Sequence, residues 1–493
     1  MQIEKIDTLG RLKEAGYVSL SIKEEMRKNL ISKLQKGEVV FQGIKGFDDT
    51  VLPDLERAIL SRHSILLLGL RGQAKTRIAR LLIHLLDEFI PVVEGSEIND
   101  DPLHPLSKFA KDLIAAKGDH TPITWLHRSE RYVEKLATPD VSVADLIGDI
   151  DPIKAANQKL AYSDEGAIHY GLVPRANRSI FVINELPDLQ PRIQVSLFNI
   201  LQEGDLQIRG FKLRLPLDVE FVFTANPEDY TNRGSIITPL KDRIQSQILT
   251  HYPKTLDIAK EITRAEANLH PLQREAVSIP EIHRDLLENM VINARESEYT
   301  DEKSGVSARM SITALENLVS SAERRMILNN ESSTTTRLSD FWGVIPAIIG
   351  KLELVYEGEQ EGVYNVAIKL LDQAIKSTFN AHFPNPEKSG KNGDPYGAIK
   401  MWFQDGNEVN LLLASSDKNY VKTLESIPGL LRLVTQRITD KSLHVPMMEI
   451  VLHGLAQYNV IGRNYLDNTL SFKDPISDIF NMDEDEDDED DYR

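Results

Sequence analysis

A glycine-rich loop at residues 69–76 ends in a lysine and a threonine, and this spacing is typical of a phosphate-binding site. The stretch reads GLRGQAKT, which matches the pattern of Gly, four residues, Gly, Lys and Ser or Thr except at Ala74. An apolar run precedes the loop and a helical pattern follows it, so backbone N–H groups at the helix N-terminus can face an anion. Lys75 can reach the terminal phosphates, and the Thr76 hydroxyl can bind Mg²⁺. The stretch therefore predicts a nucleotide triphosphate site.

Ala74 stands where the phosphate-loop pattern has its last glycine. An alanine needs a negative φ to avoid strain, so it is tolerable at this position if Ala74 already begins the helix. The alternative is a tight strand-to-helix turn with an incidental lysine. The residues predicted to surround the phosphates are Gly69, Leu70, Arg71, Gly72, Gln73, Ala74, Lys75 and Thr76.

Two further apolar runs end in polar residues. The run at residues 180–183 leads to Asn184 and Glu185, and the stretch VEFVFTAN ends in Asn226. Open α/β sheets bind ligands at the carboxyl ends of their strands. There Glu185 can orient the attacking water, whereas Asn184 occupies the position of a magnesium-shell aspartate without its charge. The alternatives are a capping glutamate and a turn asparagine before a proline.

The elements that must position these residues form an α/β core. From residue 41 to about 253, short apolar runs alternate with segments of helical period, which predicts a mostly parallel sheet. The first forty residues predict an amphipathic helical leader with a Ser21–Glu24 capping box. Residues 254–350 and then 351–478 are mainly helical in pattern. The acidic run at residues 483–491 predicts a disordered tail.

Composition excludes several classes of site. The 493 residues carry a formal net charge of −18 from 75 acidic and 57 basic side chains, so no direct nucleic-acid binding is expected. Cysteine is absent, which excludes disulfides, thiolate metal sites and cysteine catalysis. No apolar stretch approaches the roughly 20 residues needed to span a bilayer, and the N-terminus does not read as a secretion signal, so we expect the cytoplasm.

These motifs together resemble the AAA+ ATPase family, and more closely its magnesium chelatase I-subunit and MoxR-like branch. The similarity extends from residue 30 to residue 326. It is carried by FQGIKGFDDTVLPDLERAILSRHSILLLGLRGQAKT, GLVPRANRSIFVINE and TANPEDYTNRGSIITPLKDRI. The resemblance implies a P-loop AAA+ parallel-sheet core with a helical lid, followed here by an additional mainly helical C-terminal region. It also implies ATP and Mg²⁺ at the junctions of a ring of six subunits.

The resemblance assigns roles to single residues. Asn226 corresponds to sensor 1, Arg243 in LKDRI to the arginine finger offered to the neighbouring nucleotide, and Arg309 to the sensor 2 arginine of the lid. A planar cation from another subunit can stabilise the charge that develops on the γ-phosphate. The alternative for Arg243 is a surface salt bridge. With Glu185, these residues form the predicted catalytic set, and Thr76 and Asn184 form the predicted metal set.

The domains predicted on this basis are a leader at residues 1–37, a nucleotide-binding core at 38–253, a lid at 254–350, an accessory region at 351–478 and the tail at 479–493. SDEGAIHYGLV and a hairpin turning at Arg209 and Gly210 resemble the insertions of this branch, although the hairpin also fits a protected sheet edge. The resemblance implies a separate partner with a von Willebrand factor A domain. The predicted function is a ring ATPase that remodels or activates a partner, as a chaperone or in metal insertion. A nucleotide-dependent scaffold with little hydrolysis and a transcription activator of the same superfamily remain alternatives.

Overall fold

The chain forms two compact units, Met1–Tyr252 and Pro253–Arg493, in the computed structural model. The structure describes residues 5–160, 164–208, 214–227, 235–388, 394–466 and 469–475. The predicted turn at Arg209 and Gly210 and the acidic tail lie outside the described residues. The predicted domain boundaries at 37 and 350 stay predictions.

The first unit alternates strands and helices, as the sequence predicts. Its strands are β1 (Ile65–Leu68), β2 (Phe89–Val93), β3 (Ile123–His127), β4 (Tyr132–Leu136), β5 (Gly148–Ile150), β6 (Ile168–Tyr170), β7 (Ser179–Asn184), β8 (Asp205–Gln207), β9 (Arg214–Pro216), β10 (Val219–Ala225) and β11 (Ser246–Leu249). Its α-helices are α1 (Leu9–Glu14), α2 (Ile22–Gln35), α3 (Val51–Leu60), α4 (Lys75–Leu81), α5 (Lys108–Lys117), α6 (Val143–Leu146), α7 (Pro152–Gln158), α8 (Leu172–Arg175), α9 (Pro191–Ser196), α10 (Phe198–Glu203) and α11 (Thr238–Arg243).

Five of these strands form a parallel sheet in the order β11-β1-β10-β7-β4. Leu68 pairs with Ala225 at the end of β1, and Leu136 pairs with Asn184 at the end of β7. Because the strands are parallel, their carboxyl ends share one edge of the sheet. The loop after β1 therefore lies at the same edge as Asn184 and Asn226.

The three central strands β1, β10 and β7 are buried on both faces because most of their residues are apolar. Successive side chains of a strand point to opposite faces, so each strand contributes to two cores. One core contains Leu66, Phe181, Ile183, Phe221 and Phe223. The other contains Ile65, Leu67, Ile180, Val182 and Val222.

The helical leader packs on the second of these cores through α2. Ser21 Oγ accepts the Glu24 N–H at 3.3 Å, which is the N-cap bond that the sequence predicts. Glu25 is 3% exposed and forms two bonds with Arg131, which is 1% exposed, at 2.7 and 2.6 Å. Lys23 Nζ lies 3.6 Å from a carboxylate oxygen of Glu220, and burial raises the pKa of Glu220 to about 8. The leader is thus anchored by a buried ion pair as well as by apolar contacts.

Short antiparallel pairs lie beside the main sheet. β8 pairs with β9, so the hairpin predicted before Asn226 is confirmed in its described strands. Residues 164–173 of the predicted insertion contain a 3₁₀ turn, Glu165–Ala167, and β6, which pairs with β5.

The second unit is mainly helical and has one continuous core. Its helices are α12 (Leu256–Glu266), α13 (Pro271–Ala276), α14 (Glu281–Glu296), α15 (Arg309–Leu328), α16 (Ile345–Ile349), α17 (Tyr356–Glu361), α18 (Val363–His382), α19 (Gly397–Gln404), α20 (Asp417–Glu425), α21 (Leu430–Thr435) and α22 (His444–Gln457). Two short strands, β12 (Val277–Ser278) and β13 (Thr334–Thr335), pair in parallel. Strands β14 (Val409–Leu412), β15 (Gly462–Leu466) and β16 (Thr469–Lys473) form an antiparallel sheet that the sequence did not indicate. Residues on both sides of position 350 contribute to this core, among them Leu318, Phe341, Leu370, Ile450 and Phe472.

Candidate nucleotide site

The loop after β1 requires a glycine at its first position. Gly69 N–H donates to the Ala225 carbonyl at 3.2 Å, which holds the loop against the end of β10. A Cβ at Gly69 would overlap the Thr250 hydroxyl and the Gln73 amide oxygen. Those two side chains are themselves joined by a hydrogen bond of 2.7 Å. The loop is therefore held at both ends before α4 begins.

Ala74 does not begin the helix, and its φ is not the negative one under which an alanine would be free of strain. Ala74 is the N-cap residue of α4 and has φ 57 and ψ 13, in the left-handed region. The loop must turn sharply to direct its N–H groups along the axis of α4, and this turn fixes the left-handed conformation. A left-handed residue with a Cβ costs roughly 1–2 kcal/mol. The position therefore has the backbone of a glycine although the residue is alanine.

Lys75 lies inside the loop and is 7% exposed. Its Nζ donates to the Leu70 carbonyl at 2.9 Å and to Asn226 Oδ1 at 2.7 Å, and it also contacts the Gly69 carbonyl. The ammonium group is thus placed between the loop and the end of β10. This is the position from which a lysine can reach phosphates bound by the loop N–H groups.

Asn226 joins Lys75 to Glu185. Asn226 Nδ2 donates to Glu185 Oε2 at 3.1 Å, and the Glu185 N–H donates to Thr224 Oγ1 at 3.2 Å. Glu185 has φ 55, so the chain turns at the end of β7 and brings the carboxylate towards Asn226. The structure therefore brings together Lys75, Glu185 and Asn226.

Asn184 belongs to a neighbouring polar group that includes Glu134, which the sequence pattern did not predict as a site residue. Its Nδ2 donates to Glu134 Oε1 at 2.6 Å, and its Oδ1 accepts the Thr224 hydroxyl at 3.1 Å. Glu134 also accepts two bonds from Arg80 of α4, at 2.9 and 3.1 Å. The stretch YVEKL has an acidic residue within a strand pattern, but only the sheet order shows that it lies beside β7.

The predicted Mg²⁺ set is chemically suited to a magnesium ion shared with phosphates. Thr76 and Asn184 have side-chain oxygen atoms that can serve as metal ligands, and the Glu134 carboxylate accepts a hydrogen bond from Asn184. Mg²⁺ prefers oxygen ligands and is usually held by one or two carboxylates together with substrate phosphates. In the part of the chain that the structure describes, no group of three or more His, Cys, Asp or Glu side chains could hold a metal alone. The residues therefore fit Mg²⁺ bound together with a nucleotide.

Arg243 is held by contacts within its own chain. It lies at the end of α11, where Nε donates to Gln202 at 3.1 Å and a second nitrogen donates to the Pro239 carbonyl at 2.7 Å. Its guanidinium also lies 4.6 Å from the centre of the Phe198 ring. These contacts fix the direction of the side chain, and the finger role stays a prediction.

Arg309 lies in the second unit, where it is the first residue of α15 and is exposed. Its N–H donates to Ser307 Oγ at 3.1 Å. The role of Arg309 as sensor 2 stays a prediction, as do the catalytic and metal roles of the other site residues. Within the described ranges, no helix is both long and apolar enough for a bilayer.

A family model described as the sigma-54 interaction domain matches residues 156–248. The 38 kDa subunit of magnesium chelatase from Cereibacter sphaeroides is 27% identical over 212 residues, which are 41% of this chain and 56% of that protein. The corresponding subunit from Rhodobacter capsulatus is 27% identical over 45% of this chain and 59% of that protein. The chain thus spans just over half the length of these relatives.

Parts of this chain are also similar to chains of solved structures. A complex of the BchI and BchD subunits of magnesium chelatase has a chain with 21% identity, covering 65% of this chain and 98% of that chain, at a TM-score of 0.34. NtrX from Brucella abortus in complex with ATP has 14% identity, covering 59% and 53%, at a TM-score of 0.33. Both TM-scores lie below 0.5, so they add no argument to the sequence matches and the strand order.

The five-stranded parallel sheet and the phosphate loop define an α/β fold of the P-loop AAA+ class, as the sequence predicts. Part of the chain is similar in sequence to the 38 kDa subunit of magnesium chelatase and to the sigma-54 interaction domain, which supports an AAA+ ATPase of the magnesium chelatase I branch.

Proposed function

We propose that this protein is an AAA+ ATPase that binds ATP with Mg²⁺ at its phosphate loop and hydrolyses it in a ring of identical subunits. The observation that carries the proposal is the chain of hydrogen bonds Lys75–Asn226–Glu185 at the carboxyl edge of the sheet. It joins a cation for the terminal phosphates to a carboxylate that can orient water. This combination is what phosphoryl transfer to water needs, because its catalysis depends on positioning and charge.

We propose further that ATP hydrolysis drives the remodelling or activation of a partner protein. The support is the relation to the magnesium chelatase I subunit, whose branch acts with a separate protein carrying a von Willebrand factor A domain. Either chaperone-like activation or metal insertion is compatible with that relation. The cytoplasm remains the predicted compartment.

The first test is steady-state ATP hydrolysis by the purified protein together with binding of a fluorescent ATP analogue. Lys75→Ala is expected to lose binding and hydrolysis, since it removes the cation from the loop. Glu185→Gln is expected to keep binding and to lower the turnover rate by at least about 100-fold, the usual contribution of a positioned base. Glu203→Gln, which changes a carboxylate outside the site, is the matched control and should hydrolyse at the wild-type rate.

The alternative of a nucleotide-dependent scaffold predicts a different result. Asn184 lends no charge to a magnesium shell, and this specific observation favours slow hydrolysis. In a scaffold, the wild-type protein would bind the analogue but show no turnover above that of Glu185→Gln. Turnover in the wild type that is lost in Glu185→Gln would exclude the scaffold.

A transcription activator is a second alternative, favoured by the match of residues 156–248 to the sigma-54 interaction domain. That match covers less than a fifth of the chain. Binding of purified sigma-54 in the presence of ATP and Mg²⁺, measured by analytical ultracentrifugation, would favour this alternative over a chelatase-like partner.

A further inference from the structure

We propose that Glu134, on the strand next to β7, supplies the acidic charge for Mg²⁺ that residue 184 lacks. This inference rests on the proposed function, because it concerns the metal that accompanies ATP at the same site. Glu134 acts on the ion or on its bound water and gives the magnesium side of the site its negative charge.

Two hydrogen bonds orient the side-chain amide of Asn184. Its nitrogen faces the Glu134 carboxylate at 2.6 Å, and its oxygen accepts the Thr224 hydroxyl at 3.1 Å. A carboxylate can only accept hydrogen bonds, whereas the amide nitrogen can donate one. Asparagine is therefore the residue that satisfies both neighbours, and its presence is explained by Glu134.

An aspartate at position 184, as in the usual motif, would be unfavourable beside Glu134. An aspartate at position 184 would place one of its oxygens where the amide nitrogen now lies, 2.6 Å from Glu134 Oε1. Two carboxylates at such a distance repel each other, and the pKa of one of them rises strongly. The site holds one negative charge here, and that charge has moved from β7 to β4.

Glu134 is linked through Arg80 to the helix that follows the phosphate loop. Glu134 is bonded to Arg80, which lies four residues after Thr76 on α4. Residues four apart on a helix are neighbours on the same face. The Glu134 carboxylate therefore contacts a side chain from the face of α4 on which Thr76 also lies, and it bonds Asn184 at the end of β7.

Arg80, the cation paired with Glu134, is more exposed than the carboxylate. The side chain of Arg80 is 64% exposed, whereas that of Glu134 is 23% exposed. Because the Arg80 side chain is mostly exposed, water can solvate its guanidinium when the carboxylate turns to another cation. The carboxylate is then available to a divalent cation or to its bound water.

The test is the Mg²⁺ dependence of nucleotide binding, which does not require turnover. A fluorescent ATP analogue is titrated in EDTA and at a series of Mg²⁺ concentrations. Glu134→Gln is expected to keep the affinity measured in EDTA and to raise the Mg²⁺ concentration for half-maximal enhancement by about tenfold or more, as changes beside metal ligands do. Glu130→Gln, an exposed acid outside the site, should match the wild type.

Two further variants separate the charge from the ion pair. Arg80→Gln breaks the same pair but keeps the carboxylate, so it should lower the Mg²⁺ requirement, and an unchanged requirement would count against the inference. Glu134→Gln combined with Asn184→Asp returns the charge to β7 and should restore the wild-type Mg²⁺ dependence. A Mg²⁺ requirement raised equally by Arg80→Gln would overturn the inference, since the pair would then be structural.

The outcomes also separate this inference from the proposed function. If the wild-type protein binds the analogue and Mg²⁺ enhances binding, a wild-type response in Glu134→Gln would overturn the inference and leave the proposed function standing. If the wild-type protein binds no analogue with or without Mg²⁺, the proposed function fails and the inference fails with it. Thermal unfolding of each variant identifies those that do not fold, and Arg80→Gln then still decides the question.

Discussion

Two residues of the candidate site, Ala74 and Glu185, have a backbone conformation that L-amino acids rarely adopt. Their φ angles are 57 and 55. Such residues cost of order 1–3 kcal/mol each and persist where the surroundings fix them, often at functional sites. Here each lies at a turn that follows a buried strand or precedes a helix, so the strain accompanies the turns that build the site.

Replacing Ala74 with glycine is expected to stabilise the protein. Glycine adopts the left-handed region without steric cost but loses more conformational freedom on folding, so the expected net gain is up to about 1 kcal/mol. Ala79→Gly, in the interior of α4, is the matched control and should destabilise by more than about 1 kcal/mol, because it also removes a buried methyl group. Urea unfolding measures both changes. Equal destabilisation by the two variants would show that Ala74 is not strained in solution.

At this scale, the sequence predicted the residue types of the site but not all of their contacts. Lys75 and Glu185 follow from motif spacing, because the spacing itself carries the chemistry. Glu134 could not be predicted, since its role depends on which strand lies beside β7 and on the register Leu136–Asn184. The left-handed φ of Ala74 could not be predicted, because the pattern does not show whether the residue belongs to the loop or to the helix.

At the scale of elements, α2 is anchored to the first unit by charge as well as by apolar packing. Glu25 bonds Arg131 through both oxygens and also accepts the Asp87 N–H at 2.6 Å. Arg131 in turn donates to the Arg178 carbonyl at 2.9 Å, next to the start of β7. The leader helix therefore supports the strands that carry Glu134 and Glu185.

Neutralising Glu25 is expected to destabilise the first unit strongly. Glu25→Gln leaves the Arg131 guanidinium buried without its counter-charge, which costs about 3–5 kcal/mol. Glu24→Gln is the matched control one residue earlier; it breaks an exposed contact with Arg62 and should change stability by less than about 1 kcal/mol. The readout is the free energy of unfolding in urea. A Glu25→Gln value as small as that of Glu24→Gln would contradict the anchoring role of the pair.

The elements that the sequence predicted best are the buried parallel strands. Runs such as residues 180–183 and 219–225 are apolar at every position or nearly so, which marks strands covered on both faces. The antiparallel strands β14–β16 were not predicted, because β15 is rich in polar residues and β14 lies far along the chain from β16, with which it pairs. Pairing of that kind is decided by the tertiary core rather than by local pattern.

At the scale of the whole molecule, each unit has its own core, and the candidate phosphate site belongs to the first unit. The second unit is also stabilised by a buried polar group, in which Arg325 bonds Asp417 at 2.6 Å and Asp340 at 3.0 Å. These bonds join residues on both sides of position 350, so the region beyond the predicted lid folds together with it. Neither unit alone contains all the residues of the proposed catalytic set.

The most direct test of a ring ATPase is hydrolysis by mixed variants. Arg243→Ala retains its own nucleotide site but lacks the arginine proposed to reach the neighbouring subunit's nucleotide. Lys75→Ala retains that arginine but cannot bind nucleotide at its own phosphate loop. Each variant alone is expected to be inactive. If subunits complete one another's sites, mixtures of the two should regain hydrolysis in proportion to the fraction of mixed junctions. Mixtures that stay inactive, or an Arg243→Ala protein that hydrolyses ATP at the wild-type rate, would contradict the account.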